Sequence, residues 1–305
     1  MSATSDTTAL VQLSDDLANA VERAAAATVT VHGRRRMPAT GIVWGTDGTV
    51  VTASHVVERD EEITVGLPDG RTVPARLLGR DNGTDLAVLK IEADDLTAAP
   101  RAVAAPKVGH LVLAVGRPGP SGPMASFGVL GVVGGAWRAH HGGNVEGYLR
   151  ADVAMLPGFS GGPLVDASGA ILGLNSSTLG RGGGLTIPAA TIDRIVGSIQ
   201  SHGKVRRGFL GVGAQAVRVP QAMAESLGLP REQGLLVVSL EPDGPAEKGG
   251  LLIGDIIVAL DGAPVAEVEE LQDRLTSDRV GTALSLRLIR GGQPAEAEVT
   301  VGERA

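Results

Sequence analysis

The chain has no cysteine among its 305 residues, which excludes disulfides, thiolate metal sites and a cysteine nucleophile. Aromatic residues make up only 2%, so any core has to be assembled from Val, Leu, Ile and Ala. Basic residues are also scarce relative to acidic ones: 27 Lys and Arg stand against 34 Asp and Glu, a net charge of −7. A nucleic-acid binder needs basic surface to neutralise phosphates, so no nucleic-acid partner is expected. The one basic run, Arg34-Arg35-Arg36, lies between two strand-like segments and reads as a solvated hairpin tip. No segment reaches the roughly 18 apolar residues of a membrane span, and no basic leader followed by an apolar run opens the chain. As written the sequence reads as cytoplasmic. A chain relieved of its leader or anchor would look the same and would work in the periplasm or elsewhere outside the cytoplasm.

What is present suffices for one large or two ordinary domains. Hydrophobic residues are 43% and charged residues 20%, which favours a buried core over disorder. The 44 glycines and 17 prolines point to many turns and short strands. Residues 10–26 place Leu10, Leu13, Leu17, Val21 and Ala24 on one helical face. From there to about 188, β-branched runs such as "GTVVTASHV", "LAVLKIE" and "AILGLNS" alternate with turn signals such as Thr46-Asp47-Gly48 and Asp81-Asn82-Gly83. That pattern predicts a mainly β, antiparallel sandwich or barrel. A helix over about 189–201 ends at Gly203, and "HGKVRRG" reads as a linker. The remainder mixes strands with the helical stretches "PQAMAESLG" and "VEELQDRLTS", a compact α+β module. The expected divisions are an N-terminal extension at 1–26, a β domain at 27–203, a linker at 204–207 and a second domain at 208–305.

The stretch "LPGFSGGPL" (Leu156–Leu164) sets Ser160 among glycines and prolines. Alone it fits either the G-x-S-x-G elbow of α/β-hydrolases or a bland turn. A serine attacks an acyl carbon only if a base takes its proton and a third group orients that base. An α/β-hydrolase needs its histidine after the serine, and only His202, in the linker, follows. The order His, Asp, Ser is available. His55 follows an apolar strand in "VVTASHVV", and Asp85 opens another in "DNGTDLAVLKI". A lone histidine at a strand end is more often a plain core or surface residue, and Asp85 could merely cap the turn that begins at Asp81. The three together agree in type, order and flanking sequence.

Those three blocks, "VVTASHVV", "DNGTDLAVLKI" and "LPGFSGGPLVDASGAILGLNSS", resemble the catalytic blocks of HtrA-type (Deg-type) serine proteases over about residues 20–200. The resemblance implies a trypsin-like fold of two six-stranded β-barrels. It implies Ser160 as nucleophile, His55 as general base and acid, Asp85 as the residue orienting His55, and an oxyanion hole from the Gly158 and Ser160 N–H groups. The residue before the nucleophile departs from the family's usual Asn. Phe159 offers no polar contact to a freed N-terminus, so activation by chain cleavage is not expected. The resemblance also implies that Gly173–Ser177 and the loop before Leu185–Pro188 line the specificity pocket. Neither segment holds an acidic residue, which argues against Arg or Lys before the cleaved bond and favours small or medium aliphatic residues. In the loop Gly134–Asn144, His140 and His141 read as a solvated pair, with pH sensing as the sharper alternative.

The tail resembles a protease-associated PDZ domain in "RRGFLGV", "GLLVVSLEPDGPAEKGGLLIGDIIVALDG" and "VEELQDRL". The resemblance implies that Phe209, Leu210, Gly211 and Val212 form a loop holding a peptide's C-terminal carboxylate while the peptide adds as a strand. "GVGAQA" (Gly211–Ala216) also fits a dinucleotide fingerprint, but no βαβ unit surrounds it. The chain is therefore expected to be a serine endopeptidase with one PDZ domain, cutting unfolded or tail-exposed proteins. No cofactor or metal is expected. The rival is a PDZ-bearing chaperone or scaffold with an idle barrel. Relatives commonly form trimers through aromatic residues near the protease N-terminus; here the one aromatic before residue 120 is Trp44, and a homotrimer remains the expected assembly.

Overall fold

A computed structural model describes residues 3–304 apart from 36, 136, 139–143, 146, 181–183, 206, 277 and 278. The chain divides into two compact units, residues 1–205 and 206–305.

The first unit opens with helix α1 (Ala3–Ala25). Its C-terminal half packs through Leu17, Ala20, Val21 and Ala24, whereas Leu10 and Leu13 of the predicted apolar face are exposed. The reason is steric reach. The helix crosses the turn at Gly169, where a Cβ would lie 2.7 Å from the Ala20 carbonyl oxygen, and the stretch Leu10–Leu13, two turns before that crossing, is exposed.

Six strands close the first barrel in the order β1-β2-β3-β6-β5-β4. They are β1 (Thr28–His32), β2 (Ala39–Val43), β3 (Thr49–Ala53), β4 (Ile63–Gly66), β5 (Thr72–Asp81) and β6 (Leu86–Ile91). A second barrel closes as β11-β14-β13-β12-β7-β8. Its strands are β7 (Leu111–Gly116), β8 (Met124–Gly134), β11 (Tyr148–Ala151), β12 (Pro163–Asp166), β13 (Ile171–Ser176) and β14 (Leu185–Pro188). Between β8 and β11 a small hairpin pairs β9 (Trp137–Arg138) with β10 (Asn144–Val145). Helix α2 (Ala189–His202) then packs against β5, β6, β13 and β14. It ends at Gly203 in the left-handed conformation (φ 73°), as glycine permits. With so few aromatics, the core is built of aliphatic residues, and β3 and β6 are buried on both faces.

The second unit is a six-stranded sheet whose main path runs β16-β17-β18-β20-β21. It uses β16 (Val212–Arg218), β17 (Gln233–Leu240), β18 (Ile256–Leu260), β20 (Ala283–Arg290) and β21 (Gln293–Thr300), with β19 (Ala263–Pro264) on β18. A separate ribbon pairs β15 (Arg207–Phe209) with β22 (Gly302–Arg304). The two anticipated helices are α3 (Gln221–Ser226) and α5 (Val268–Asp273); a third, α4 (Pro245–Lys248), was not legible in the pattern. Gly211–Ala216 lies in a loop and in the antiparallel β16, outside any βαβ unit.

Candidate active site

Strand pairing brings the first two candidate residues together. In the β3–β6 ladder Ala53 lies opposite Leu86, and the Ser54 N–H extends the ladder by donating to the Asp85 carbonyl at 2.9 Å. The next residue, His55, sits in a single 3₁₀ turn. Its Nδ1 is 2.8 Å from Asp85 Oδ2 and its main-chain N–H donates to Asp85 Oδ1 at 2.9 Å. Asp85 adopts φ 57°, a left-handed conformation that aspartate tolerates better than most residues. The preceding turn is capped by a different residue: Asp81 accepts from the Gly83 N–H and the Thr84 hydroxyl. That leaves the Asp85 carboxylate for the imidazole.

Asp85 is 5% exposed and well supplied with donors. Oδ2 also accepts from the hydroxyls of Ser176 and Thr178, the latter at 2.9 Å. Burial alone would raise its pKa. The ring hydrogen bond and charge of His55, the Ser176 hydroxyl and the His55 N–H outweigh it and hold the carboxyl below its ordinary value. The fixed Nδ1 contact directs the other ring nitrogen, Nε2, away from Asp85.

Ser160 stands on a turn wedged between the barrels. Gly161, at φ 87°, has no room for a side chain: a Cβ would lie 2.0 Å from the Thr40 carbonyl oxygen and 3.1 Å from the Ala53 nitrogen. The turn therefore abuts the strand that leads to His55. Thr40 fastens it, donating through Oγ1 to the Gly158 carbonyl at 2.7 Å and through its N–H to the Ser160 carbonyl at 3.2 Å. Phe159 is fully buried in the second barrel's core. Gly116 makes the space, since a Cβ there would come within 2.5 Å of the phenyl ring. The Gly158 and Ser160 N–H groups, by contrast, have no acceptor among the described residues.

The serine hydroxyl is not joined to His55 by a hydrogen bond. Its Oγ lies 2.8 Å from Ser177 Oγ and accepts from the Ser177 N–H at 3.2 Å. The neighbouring Thr178 Oγ1 is 3.3 Å from His55 Nδ1. Consecutive residues thus touch the serine on one side and the histidine on the other. Beside the turn is a cavity of about 540 Å³ whose lining includes Asn175 and Gly184 from the two anticipated segments, and Leu185 and Thr186 from the strand that follows the second. It also includes Arg150, Asp152 and Met155, which sequence reasoning did not place there. The support that Ser176, Ser177 and Thr178 give to the site was missed as well. The only signal was an uninformative run of hydroxyl residues in "GLNSST".

Residues 39–174 match the trypsin-like peptidase domain and residues 208–301 the PDZ domain. The solved structure of the HtrA-type protease AlgW with a decapeptide superposes with a TM-score of 0.79 at 31% identity, covering 95% of this chain and 99% of that one. A serine endoprotease structure from Yersinia pestis gives the same TM-score and identity over 95% and 98%. The chain belongs to the HtrA-type proteases. Among curated relatives, a Halomonas elongata protein named "Probable periplasmic serine endoprotease DegP-like" is 34% identical over 275 residues, 88% of this chain and 57% of that protein. The Pseudomonas fulva protein of the same name is 36% identical over 268 residues, 86% and 55%. This HtrA-type chain thus spans little more than half the length of the curated relatives it matches.

In the second unit of this HtrA-type chain, Phe209–Val212 forms the connection from β15 into β16. Leu210 is buried and Gly211 has φ 77°. The Leu210 carbonyl accepts from the Ala246 N–H and the Gly211 carbonyl from the Glu241 N–H, both at 2.8 Å. The N–H groups of Leu210 and Gly211 find no acceptor among the described residues. Strand β16 ends the sheet, paired on one side by β17. No helix is long and apolar enough to cross a membrane, and no group of His, Asp and Glu side chains able to hold a metal occurs among the described residues. His140 and His141 lie outside the described residues. Trp44 is 5% exposed; its indole N–H donates to Asp193 at 2.9 Å and Arg101 stacks 4.2 Å from the ring centroid.

Proposed function

We propose that this chain is a serine endopeptidase acting on unfolded or tail-exposed proteins, with His55, Asp85 and Ser160 as its triad and a PDZ loop that captures C-terminal peptides. The observation that carries the reading is the His55–Asp85 pair, doubly bonded at 2.8 and 2.9 Å, next to a serine turn whose two N–H groups have no internal acceptor. In the proposed cycle a rotation about the Ser160 side chain moves Oγ from Ser177 to His55. Nε2 takes the hydroxyl proton as Oγ bonds to the scissile carbonyl carbon. The carbonyl oxygen becomes negative between the Gly158 and Ser160 N–H groups, where preorganised donors stabilise it. Asp85 holds the imidazolium that has formed. Nε2 then gives its proton to the departing amine, and water, activated by the same nitrogen, releases the acyl group and restores Ser160.

At the PDZ unit, a terminal carboxylate would take the Leu210 and Gly211 N–H groups while the peptide extends the sheet beyond β16. The AlgW structures obtained with a decapeptide and with a tripeptide support peptide binding by this family. The relatives' periplasmic naming supports work outside the cytoplasm, which fractionation of the native host would check. A homotrimer is the assembly we propose; since Trp44 is engaged within its own unit, contacts other than aromatic stacking would have to hold it, and light scattering would report the mass.

The test is cleavage of unfolded casein by the wild type and by Ser160→Ala, side by side with labelling by a serine-directed fluorophosphonate. Loss of both signals in the variant, with kcat falling roughly 10⁶-fold, is expected. A wild type that neither cuts nor labels would overturn the reading.

A further inference from the structure

Thr40 lies in β2 of the first barrel and is fully buried. Every polar atom it has is committed. Its main-chain N–H donates to the Ser160 carbonyl at 3.2 Å, and its carbonyl accepts from the Thr52 hydroxyl at 2.7 Å. Its own hydroxyl donates to the Gly158 carbonyl at 2.7 Å and accepts from the Arg117 N–H at 2.9 Å. The direction of those two bonds follows from their chemistry. An amide N–H only donates and a carbonyl only accepts, so the single hydroxyl proton has to point at Gly158. The branched Cβ restricts the side chain to few rotamers, and its methyl group abuts the turn as well: a Cβ on Gly162 would lie 3.0 Å from Thr40 Cγ2.

We infer that Thr40 is a positioning residue for the proposed reaction, its hydroxyl setting where the Gly158 and Ser160 N–H groups stand against the developing oxyanion. This rests on Ser160 being the nucleophile. The two carbonyls that Thr40 ties belong to the same two residues whose N–H groups have no acceptor among the described residues. Gly158 has no side chain by which the fold could grip it, and at φ 86° it uses a backbone region that glycine enters and leaves freely. Its carbonyl is the handle that remains. Donors stabilise a transient negative oxygen only when they already point at its place before the charge forms. The other partner of the hydroxyl is itself pinned. The Arg117 carbonyl accepts from the Thr30 hydroxyl at 2.8 Å, and its guanidinium donates to the Thr28 and Ala25 carbonyls at 2.7 and 3.1 Å. Thr40 thus relays the rigidity of β1, β2 and the end of α1 to a turn that leads into the second barrel. It touches no reacting atom and acts through Gly158 and Ser160.

The experiment follows a quenched-fluorescent peptide, built on a site that the wild type cuts in unfolded casein, in the full chain and in Thr40→Val and Thr40→Ser. Rates are taken per fluorophosphonate-labelled site, so that misfolded molecules do not count. Thr40→Val is expected to lower kcat about 10- to 100-fold, short of the roughly 10²–10³ for a donor removed outright. KM should barely change, the signature of an interaction made only in the transition state. Thr40→Ser keeps the hydroxyl and should recover most of the rate. Affinity for a peptidyl trifluoromethyl ketone, whose adduct with Ser160 carries an oxyanion, should fall in step with kcat. Wild-type kcat per labelled site in Thr40→Val overturns the inference and leaves the protease reading standing. So does a loss that Thr40→Ser shares in full, which would make Thr40 a packing residue. A wild type that neither labels nor cuts sinks both readings. Should Thr40→Val fail to fold, Thr40→Cys is compared with Thr40→Ser, since the two differ only in the weakness of the thiol as a donor; equal kcat in that pair refutes the inference, and a slower Thr40→Cys supports it.

Discussion

Two loops in this protein share one main-chain arrangement in different settings. At the Gly158–Ser160 turn and at the Phe209–Val212 loop, main-chain carbonyls are tied down by donors from elsewhere, while two N–H groups are left without an acceptor. Each loop relies on a glycine at positive φ, 86° at Gly158 and 77° at Gly211, to turn its amides to one side. They differ in what surrounds them. Gly158 is confined, since a Cβ would lie 2.4 Å from Pro118 Cβ, whereas at Gly211 the nearest atom would be 3.2 Å away, on the Glu241 side chain. Phe159 anchors the first turn in a barrel core, while the second leads directly into an edge strand. A loop meant to stabilise a transient charge has to be rigid. A loop that receives one end of an incoming strand needs only to present its donors.

The sharpest way to break the comparison is to remove the anchor. Phe159→Ala is expected to cost the protease unit about 3–5 kcal/mol, seen as a lower unfolding midpoint for that unit and an unchanged one for the PDZ unit. Equal losses in both units would mean that Phe159 is not a local anchor. Next in size is Gly158→Ala. With neither space nor a favoured backbone, the N–H should swing out of place and lower kcat by about 10²–10³-fold, leaving tail-peptide affinity intact. Gly211→Ala is the mirror experiment. The left-handed backbone strain of about 1–2 kcal/mol should weaken binding of a C-terminal peptide about tenfold by fluorescence anisotropy, with fluorophosphonate labelling unaffected.

The smallest effect concerns one buried carboxylate in each unit. Asp85 is held below the ordinary carboxylate range as described above. Asp255 is as well: burial opposes ionisation, but the two-pronged Arg290 contact and the Leu252 N–H outweigh it. Because both folded values are lowered, each group's contribution is complete above an unfolded pKa of about 4 and is lost as pH falls through the lowered value. The unfolding midpoints of both units should therefore fall as pH is lowered from about 5 to 2. Asp255→Asn should flatten the acid response of the PDZ unit alone.

Much of this was legible beforehand because local patterns carry it. Period-2 runs separated by turn signals announce strands wherever one face meets a core, and the three blocks around His55, Asp85 and Ser160 carry a family's spacing. Phe159, the apparent departure, reads as an anomaly in one dimension because its cavity is made by Gly116, 43 residues earlier. The hydroxyls of Ser176 and Thr178 were invisible as Asp85 partners because a hydroxyl in a strand announces no direction. Asp152 and Met155 entered the cavity through barrel closure, which no local window can encode. The exposed half of α1 shows the reverse failure: periodicity promised a buried face through Leu10 and Leu13, but the helix outruns the surface it packs on.

By itself the sequence determined the mainly β character, the two-part organisation and the residue types available for acyl chemistry, since these follow from periodicity, turn residues and composition. Tertiary structure alone decided that the Asp85 carboxylate faces His55 while Asp81 caps the turn, and that Ser160 rests on Ser177. It also decided that Asn175 joins the lining of the cavity beside the serine turn. Those outcomes depend on which strands become neighbours across long loops, and contacts between distant segments are set by closure of the barrels and not by any nearby residue.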